Sequence, residues 1–254
     1  MNILLIKVIM MPLVIGLITL VSRRWGNKTG GLIASMPWIA GPILLFFILE
    51  QGKAFGIRSI PGIFTGIVSL LCFIYCYARL ARRFNGITTL LISYVVYAGV
   101  ALVVSFDRLN LFISYFITMS CIGLVLTLFP VASQQQVPTK RLPYDIVIRM
   151  VIATLFVVLI TQIAAMLGPT WSGILTPFPI ITSILAIFTQ YLQGSSAAII
   201  TLRSTVMGMF GFTTFLFLQA LLLPMLSLGV SLFIGLIING FINFLLYKLT
   251  SRIR

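Results

Sequence analysis

Histidine is missing from this chain, and of its 254 residues only Glu50, Asp107 and Asp145 are acidic. Without an imidazole or a carboxylate pair, the common acid–base couples, histidine-bound metals and histidine-activated nucleophiles are excluded. No phosphate-cradling glycine loop and no serine in a nucleophile context replaces them. The expectation is a protein that is not an enzyme and holds no cofactor or metal. Cysteine is also scarce. Cys72, Cys76 and Cys121 all fall inside apolar runs, which offers neither a disulfide framework nor a metal site of the usual spacing. Cys72 and Cys76, four apart on one helix face, read as small packing residues.

Charge itself is the third shortage. Only 8% of residues are charged while 60% are apolar, whereas a soluble domain carries roughly a quarter of its residues charged. Such a chain cannot hide its apolar surface in a water-soluble core. Apolar runs of about 20 residues cross a hydrocarbon layer near 30 Å thick as helices, and the alternating ten-residue segments of an outer-membrane barrel are absent. The fold class expected is therefore all-α, a polytopic membrane protein of about nine transmembrane helices. The spans expected are 3-21, 30-50, 58-80, 87-106, 110-130, 146-167, 173-193, 197-222 and 226-248. The first run has no basic stretch before it and no small-residue cleavage site after it, where Arg23, Arg24 and Trp25 stand, so it reads as a retained span. The longest polar stretch, from Val131 to Asp145, is a Gln-rich connector bounded by proline.

What the chain does have is lysine and arginine, 17 against three acids for a formal charge of +14. Arg23, Arg24, Lys28, Arg79, Arg82, Arg83, Lys140, Arg141, Arg149, Arg203, Lys248, Arg252 and Arg254 fall to one side of the nine spans. Lys53, Arg58 and Arg108 fall to the other, with Lys7 just inside the first span. Basic residues concentrate on the cytoplasmic side, so the N-terminus is expected outside and the C-terminus in the cytoplasm. The charge then serves orientation and attraction to anionic lipid, and a nucleic-acid partner is not expected.

The chain also matches itself at an offset of 142 positions. Ile6-Lys7 falls on Ile148-Arg149, Gly26 on Gly168, Gly31 on Gly173, Pro37 on Pro179, Phe46 on Phe188, Gln51-Gly52 on Gln193-Gly194 and Gly66 on Gly208. Repeat A is expected over 1-109, a linking span and connector over 110-142, and repeat B over 143-254. A shift of five spans is odd, so the second copy enters the membrane from the opposite face. Inverted-topology repeats of this kind surround the midplane sites of many secondary transporters.

Candidate binding residues follow from the interruptions in spans 2 and 7. Pro37 with Gly41 breaks the first, and Pro179, beside Pro177, breaks the second next to Thr182 and Ser183. A proline removes a donor and frees a carbonyl one turn back, which lipid tolerates only where protein or a wet cavity satisfies it. A packing kink is the plainer reading of either break alone. Lys7 and Arg149 form a pseudo-equivalent cationic pair suited to an anionic solute, or else snorkel to the head groups. Arg203 lies inside span 8 without an obvious acidic partner, with Gln190 and Gln193 on the span before it. Glu50 and Gln51 end span 2, where the carboxyl either takes up a proton or sits solvated at the interface. Asn239 and Asn243 share a face of span 9 and read as interhelical hydrogen-bonding residues.

At Leu5-Ile6-Lys7, Gly31-Leu32-Ile33 through Pro37, Gly173 through Phe178-Pro179, and Leu202-Arg203-Ser204-Thr205, the chain resembles the small GlpM-like inner-membrane proteins of bacteria. That family is similar to one four-helix copy of this unit. The resemblance implies a multi-pass bacterial inner-membrane protein, leaves the substrate open, and is compatible with a homodimer. In the first half Pro61-Gly62 stands where the Leu-Arg-x-Thr segment would be.

Two functions fit these features. The first is a small secondary-type transporter or flippase for a small anionic or amphipathic solute, with its site at the broken helices. The alternative is a non-transporting membrane scaffold or assembly factor whose basic face binds anionic membrane lipids or a partner protein. Convergence of the polar residues of spans 2, 7 and 8 on one cavity separates the two.

Overall fold

The computed structural model describes residues 40–104, 110–132 and 144–252, together with isolated positions between 8 and 37. Every regular element among the described residues is an α-helix. In chain order these are α1 (Ala40–Gln51), α2 (Lys53–Leu80), α3 (Gly86–Val104), α4 (Leu111–Leu128), α5 (Asp145–Met166), α6 (Gly168–Leu175), α7 (Ile180–Gln193), α8 (Ser195–Leu222) and α9 (Leu228–Arg252). Six stretches are long and apolar enough to cross a membrane: α2, α3, α4, α6 with α7, α8, and α9 as far as Lys248. The chain thus reads as a helical membrane protein. Of the first expected span only isolated positions are described, and α1 is a shorter apolar helix of 12 residues.

Several boundaries differ from those expected. Helix α2 begins at Lys53 rather than 58, and α8 at Ser195 rather than 197. Polar residues at a helix end reach the interface or a loop, so they need not stop the helix. Lys53 Nζ donates to the Leu226 carbonyl at 3.0 Å, beyond the end of α8. Only Gly52 separates α1 from α2, and only Gly194 separates α7 from α8. Their φ/ψ values, 89°/162° and 88°/171°, lie in a region almost confined to glycine. A reversal between helices in one residue requires that freedom.

The 142-residue offset of the sequence recurs in the fold. Helices α2 and α8 both have 28 residues and start and stop in register. The bond from Gly52 N–H to Ile48 O, 3.0 Å, has its counterpart in Gly194 N–H to Gln190 O, 3.0 Å. Gly41 N–H to Pro37 O is likewise matched by Ser183 N–H to Pro179 O, both 2.9 Å. On α3 the buried positions are Thr89, Ser93, Tyr97 and Ala101, and on α9 they are Ser231, Gly235, Asn239 and Asn243, again 142 apart. Large apolar side chains cover the opposite faces, among them Leu91, Val95 and Val103 on α3 and Phe233, Ile237 and Phe241 on α9. Lipid is as apolar as leucine, so helices in it associate through close packing and polar contacts along such narrow stripes.

Helices α2 and α8 form the centre. Each packs on the helix before it and the helix after it, and α4 lies against both. Close approach ties the halves together. A methyl group at Gly173 would overlap the Ser59 carbonyl on α2, and one at Gly31 would overlap the Thr201 carbonyl on α8. Since Ser59 and Thr201 are also 142 apart, the two contacts are reciprocal. Arg79 and Arg82, expected as topology signals, also donate to the Leu128 and Val131 carbonyls at and beyond the end of α4, satisfying acceptors that a helix terminus leaves open.

Candidate functional site

Between α6 and α7 the chain loses its helical bonds over Thr176–Pro179, because Pro177 and Pro179 have no N–H to give. The freed groups are satisfied locally where they can be. Thr176 N–H is shared between the Ser172 and Gly173 carbonyls, Phe178 N–H donates to Leu175 O at 3.0 Å, and Ile180 N–H to Phe178 O at 2.7 Å. The carbonyl of Ile174, deprived of Phe178 N–H, accepts instead from Tyr97 Oη on α3 at 2.8 Å. One turn earlier on the same face, Tyr94 Oη donates to Ser183 Oγ at 2.8 Å. The Phe178 ring stacks on Tyr94 at 5.5 Å and meets Tyr97 edge-on at 5.1 Å. The break is therefore held from α3 by two hydroxyls and two rings.

The matching interruption before α1 has bends at Met36 and Pro37, both described, and regains its helix with the Gly41 to Pro37 bond. Both breaks open on one cavity of about 60 Å³. Met36 and Ala40 come from the first break, Thr176 to Phe178, Ile181 and Thr182 from the second. Leu70 of α2 and Thr205, Met209 and Phe212 of α8 complete the walls. Met36 and Phe178, Ala40 and Thr182, and Leu70 and Phe212 face it as pairs at the 142-residue offset. No charged side chain among the described residues lines it.

Nine of the candidate binding residues singled out from sequence divide into two sets. Pro37, Gly41, Pro179, Thr182 and Ser183 lie at or beside the breaks and are buried. Glu50, Gln51, Gln190 and Gln193 lie at the far ends of α1 and α7, about 12 Å or more along the helix axis from the cavity at 1.5 Å per residue. Glu50 and Gln51 are exposed. Gln190 accepts from Tyr77 Oη at 2.7 Å and donates to the Ala81 and Phe84 carbonyls, so it closes the end of α2. A larger apolar groove of about 720 Å³ runs past it between Asn85–Ile87 and Ile187–Tyr191.

Arg203 does not join the cavity. It is exposed, and at 100° per residue it points roughly opposite to Thr205, Met209 and Phe212 on α8. Lys7 lies outside the described residues, and Arg149 is placed within α5 but its side chain lies outside them. Asn239 and Asn243 are buried as expected, yet Asn243 Nδ2 donates to Asn239 Oδ1 at 3.2 Å within α9 rather than between helices. Tyr94, Tyr97 and Met209 are lining or supporting residues that the sequence reading does not mark, and Met36 and Thr205 enter it only within longer motifs. The spacing of Tyr94 and Tyr97, three apart on one helix face, is the signal that points to them. Comparison with protein-family models, with curated proteins and with solved structures gives no match to this chain.

Proposed function

We propose that this chain is a small membrane transporter or flippase of the secondary type, built of two inverted-topology repeats, 1-109 and 143-254, around the linking segment 110-142. It resides in the bacterial inner membrane with its N-terminus periplasmic and its C-terminus cytoplasmic, and moves a small anionic or amphipathic solute between the two sides. The observation that carries this reading is the meeting of two broken helices at one cavity, the arrangement in which inverted-repeat transporters build their midplane sites. Irregular backbone at such a depth is tolerated when it lines a cavity. Further support comes from the reciprocal close contacts of Gly31 and Gly173 and from the register of α2 with α8. Rocking one repeat against the other about this point would expose the cavity to each side in turn.

The purified protein in proteoliposomes is expected to give saturable uptake of labelled small carboxylates, or transfer of a labelled anionic amphiphile between leaflets. Rates should stand clearly above empty vesicles and fall when Leu70→Trp fills the cavity. Flux equal to that of empty vesicles across both substrate sets would refute transport and leave the scaffold reading in its place.

A further inference from the structure

We infer that the cavity between the two helix breaks is a carboxylate site, and that it takes one singly charged group. This deepens the transport reading and rests on it for its physiological meaning, but the binding itself does not require transport.

Unused donors gather at the starts of the two helices. Around the breaks the carbonyls of Pro37, Ser172, Gly173, Ile174, Leu175, Phe178 and Pro179 accept a hydrogen bond, while those of Met36, Thr176 and Pro177 meet no donor among the described residues. The donors are not used up. The amides of Ala40, Ile181 and Thr182, at the first turns of α1 and α7, meet no acceptor among the described residues, and all three residues line the cavity. Buried amides almost always find a partner, so these call for one. The Thr182 side chain is a second and independent observation. It is only 8% exposed, lines the cavity and has no hydrogen bond among the described residues, whereas Thr176 and Thr205 beside it donate to Ser172 and Thr201. The helix starts thus offer N–H groups and the Thr182 hydroxyl to an acceptor, and the charge at those starts favours a negative one.

Charge and shape narrow the ligand. Helices of 12 and 14 residues direct their N-terminal ends at the cavity from the two halves, and each such end carries about half a positive charge. Together they balance one negative charge. With no basic side chain on the walls among the described residues, a second charge would remain uncompensated in a medium of low dielectric. A carboxylate has two oxygens, so one can face Ala40 while the other faces Ile181 and Thr182 across the pseudo-axis. The space of about 60 Å³ exceeds what a single water needs and suits a group of this size. The wall residues Met36, Leu70, Phe178, Met209 and Phe212 accept whatever apolar portion follows it.

The test is calorimetric titration of the full chain in detergent with sodium formate, decanoate, chloride and sulfate at constant ionic strength. Saturable binding of formate is expected, with sulfate and chloride binding at least tenfold more weakly. Tighter binding of decanoate would assign the carboxylate to an amphiphile, and binding of formate alone would assign it to a small free acid; either supports the site. Thr182→Val is expected to weaken formate about tenfold, the worth of a hydrogen bond to a charged group, while Thr182→Ser stays near wild type. Leu70→Phe, which gives one wall the side chain Phe212 already gives the other, should also weaken it by narrowing the space. No saturable formate binding, or chloride or sulfate binding as tightly as formate, overturns the inference, and neither comparison depends on a variant that must fold. So does a folded Val variant that binds as wild type. Formate binding without any flux would remove the transport reading alone, and flux of an uncharged solute without formate binding would remove this one alone.

Discussion

Tyr97 supports the backbone break from another helix. At the break Phe178 N–H turns to the Leu175 carbonyl and leaves that of Ile174 open, and Tyr97 Oη, 77 residues away in sequence, answers it. Tyr97→Phe keeps the ring against Phe178 and removes only the hydroxyl, leaving a buried acceptor unmet at a cost of about 1–3 kcal/mol. A lower thermal unfolding temperature in detergent is the expected outcome, and an unchanged one would mean that another group pairs with that carbonyl. At this scale the chain is legible where chemistry is local. Thr182 and Ser183 stand out because they follow Pro177 and Pro179, and they lie at the break. Arg203 stands out because an arginine inside an apolar run is rare, yet the angle at which α8 presents it depends on how that helix packs. Gln190 stands out as a polar residue in a span, and its polar atoms close the end of α2.

Among the elements, the two close approaches of backbone to backbone are equivalent. Gly31 abuts the Thr201 carbonyl and Gly173 the Ser59 carbonyl, both backbone atoms that cannot swing aside. Gly31→Ala and Gly173→Ala should each destabilise the protein by about 1–3 kcal/mol through overpacking, and by similar amounts, read as paired losses in melting temperature. A large loss at one with none at the other would contradict the reciprocity of the interface. The existence of the described helices is readable from sequence, since runs this apolar can satisfy their backbone in lipid only as helices. Helix ends are less so. The expected start of a span at 58 misses the first turn of α2, because Lys53 and Arg58 look like loop residues until their position at the helix end is known. The single-residue reversals at Gly52 and Gly194 are visible in sequence as glycines but not as hinges, because φ is a property of the folded backbone.

For the molecule as a whole, the proposed inverted architecture makes a definite topological demand. If the spans alternate as read and the basic residues face the cytoplasm, a reporter fused after Arg83 should report cytoplasm and one fused after Asp107 should report periplasm. The opposite result, or both on one side, would overturn orientation and inversion together. The pairing of Leu70 with Phe212, Ala40 with Thr182 and Met36 with Phe178 around the cavity also marks where the halves differ. Tyr94 and Tyr97 on α3 have Leu236 and Asn239 as their counterparts on α9, so the second break is pinned by hydroxyls that the first does not receive from the equivalent positions.

Composition and the length of the apolar runs pointed to helices in a membrane, because so much apolar surface cannot be hidden in a water-soluble core of this size and, in lipid, such runs satisfy their backbone as helices. The self-match likewise marks, from residue identities alone, which glycines and prolines correspond. Tertiary structure decided which polar groups meet. Whether Thr182 faces a cavity or a neighbouring helix, and whether Arg203 faces inward or outward, turns on helix rotation and on contacts between residues far apart in sequence. Hydropathy fixes neither, since a helix in lipid can rotate about its axis at little cost until close packing and hydrogen bonds choose one face.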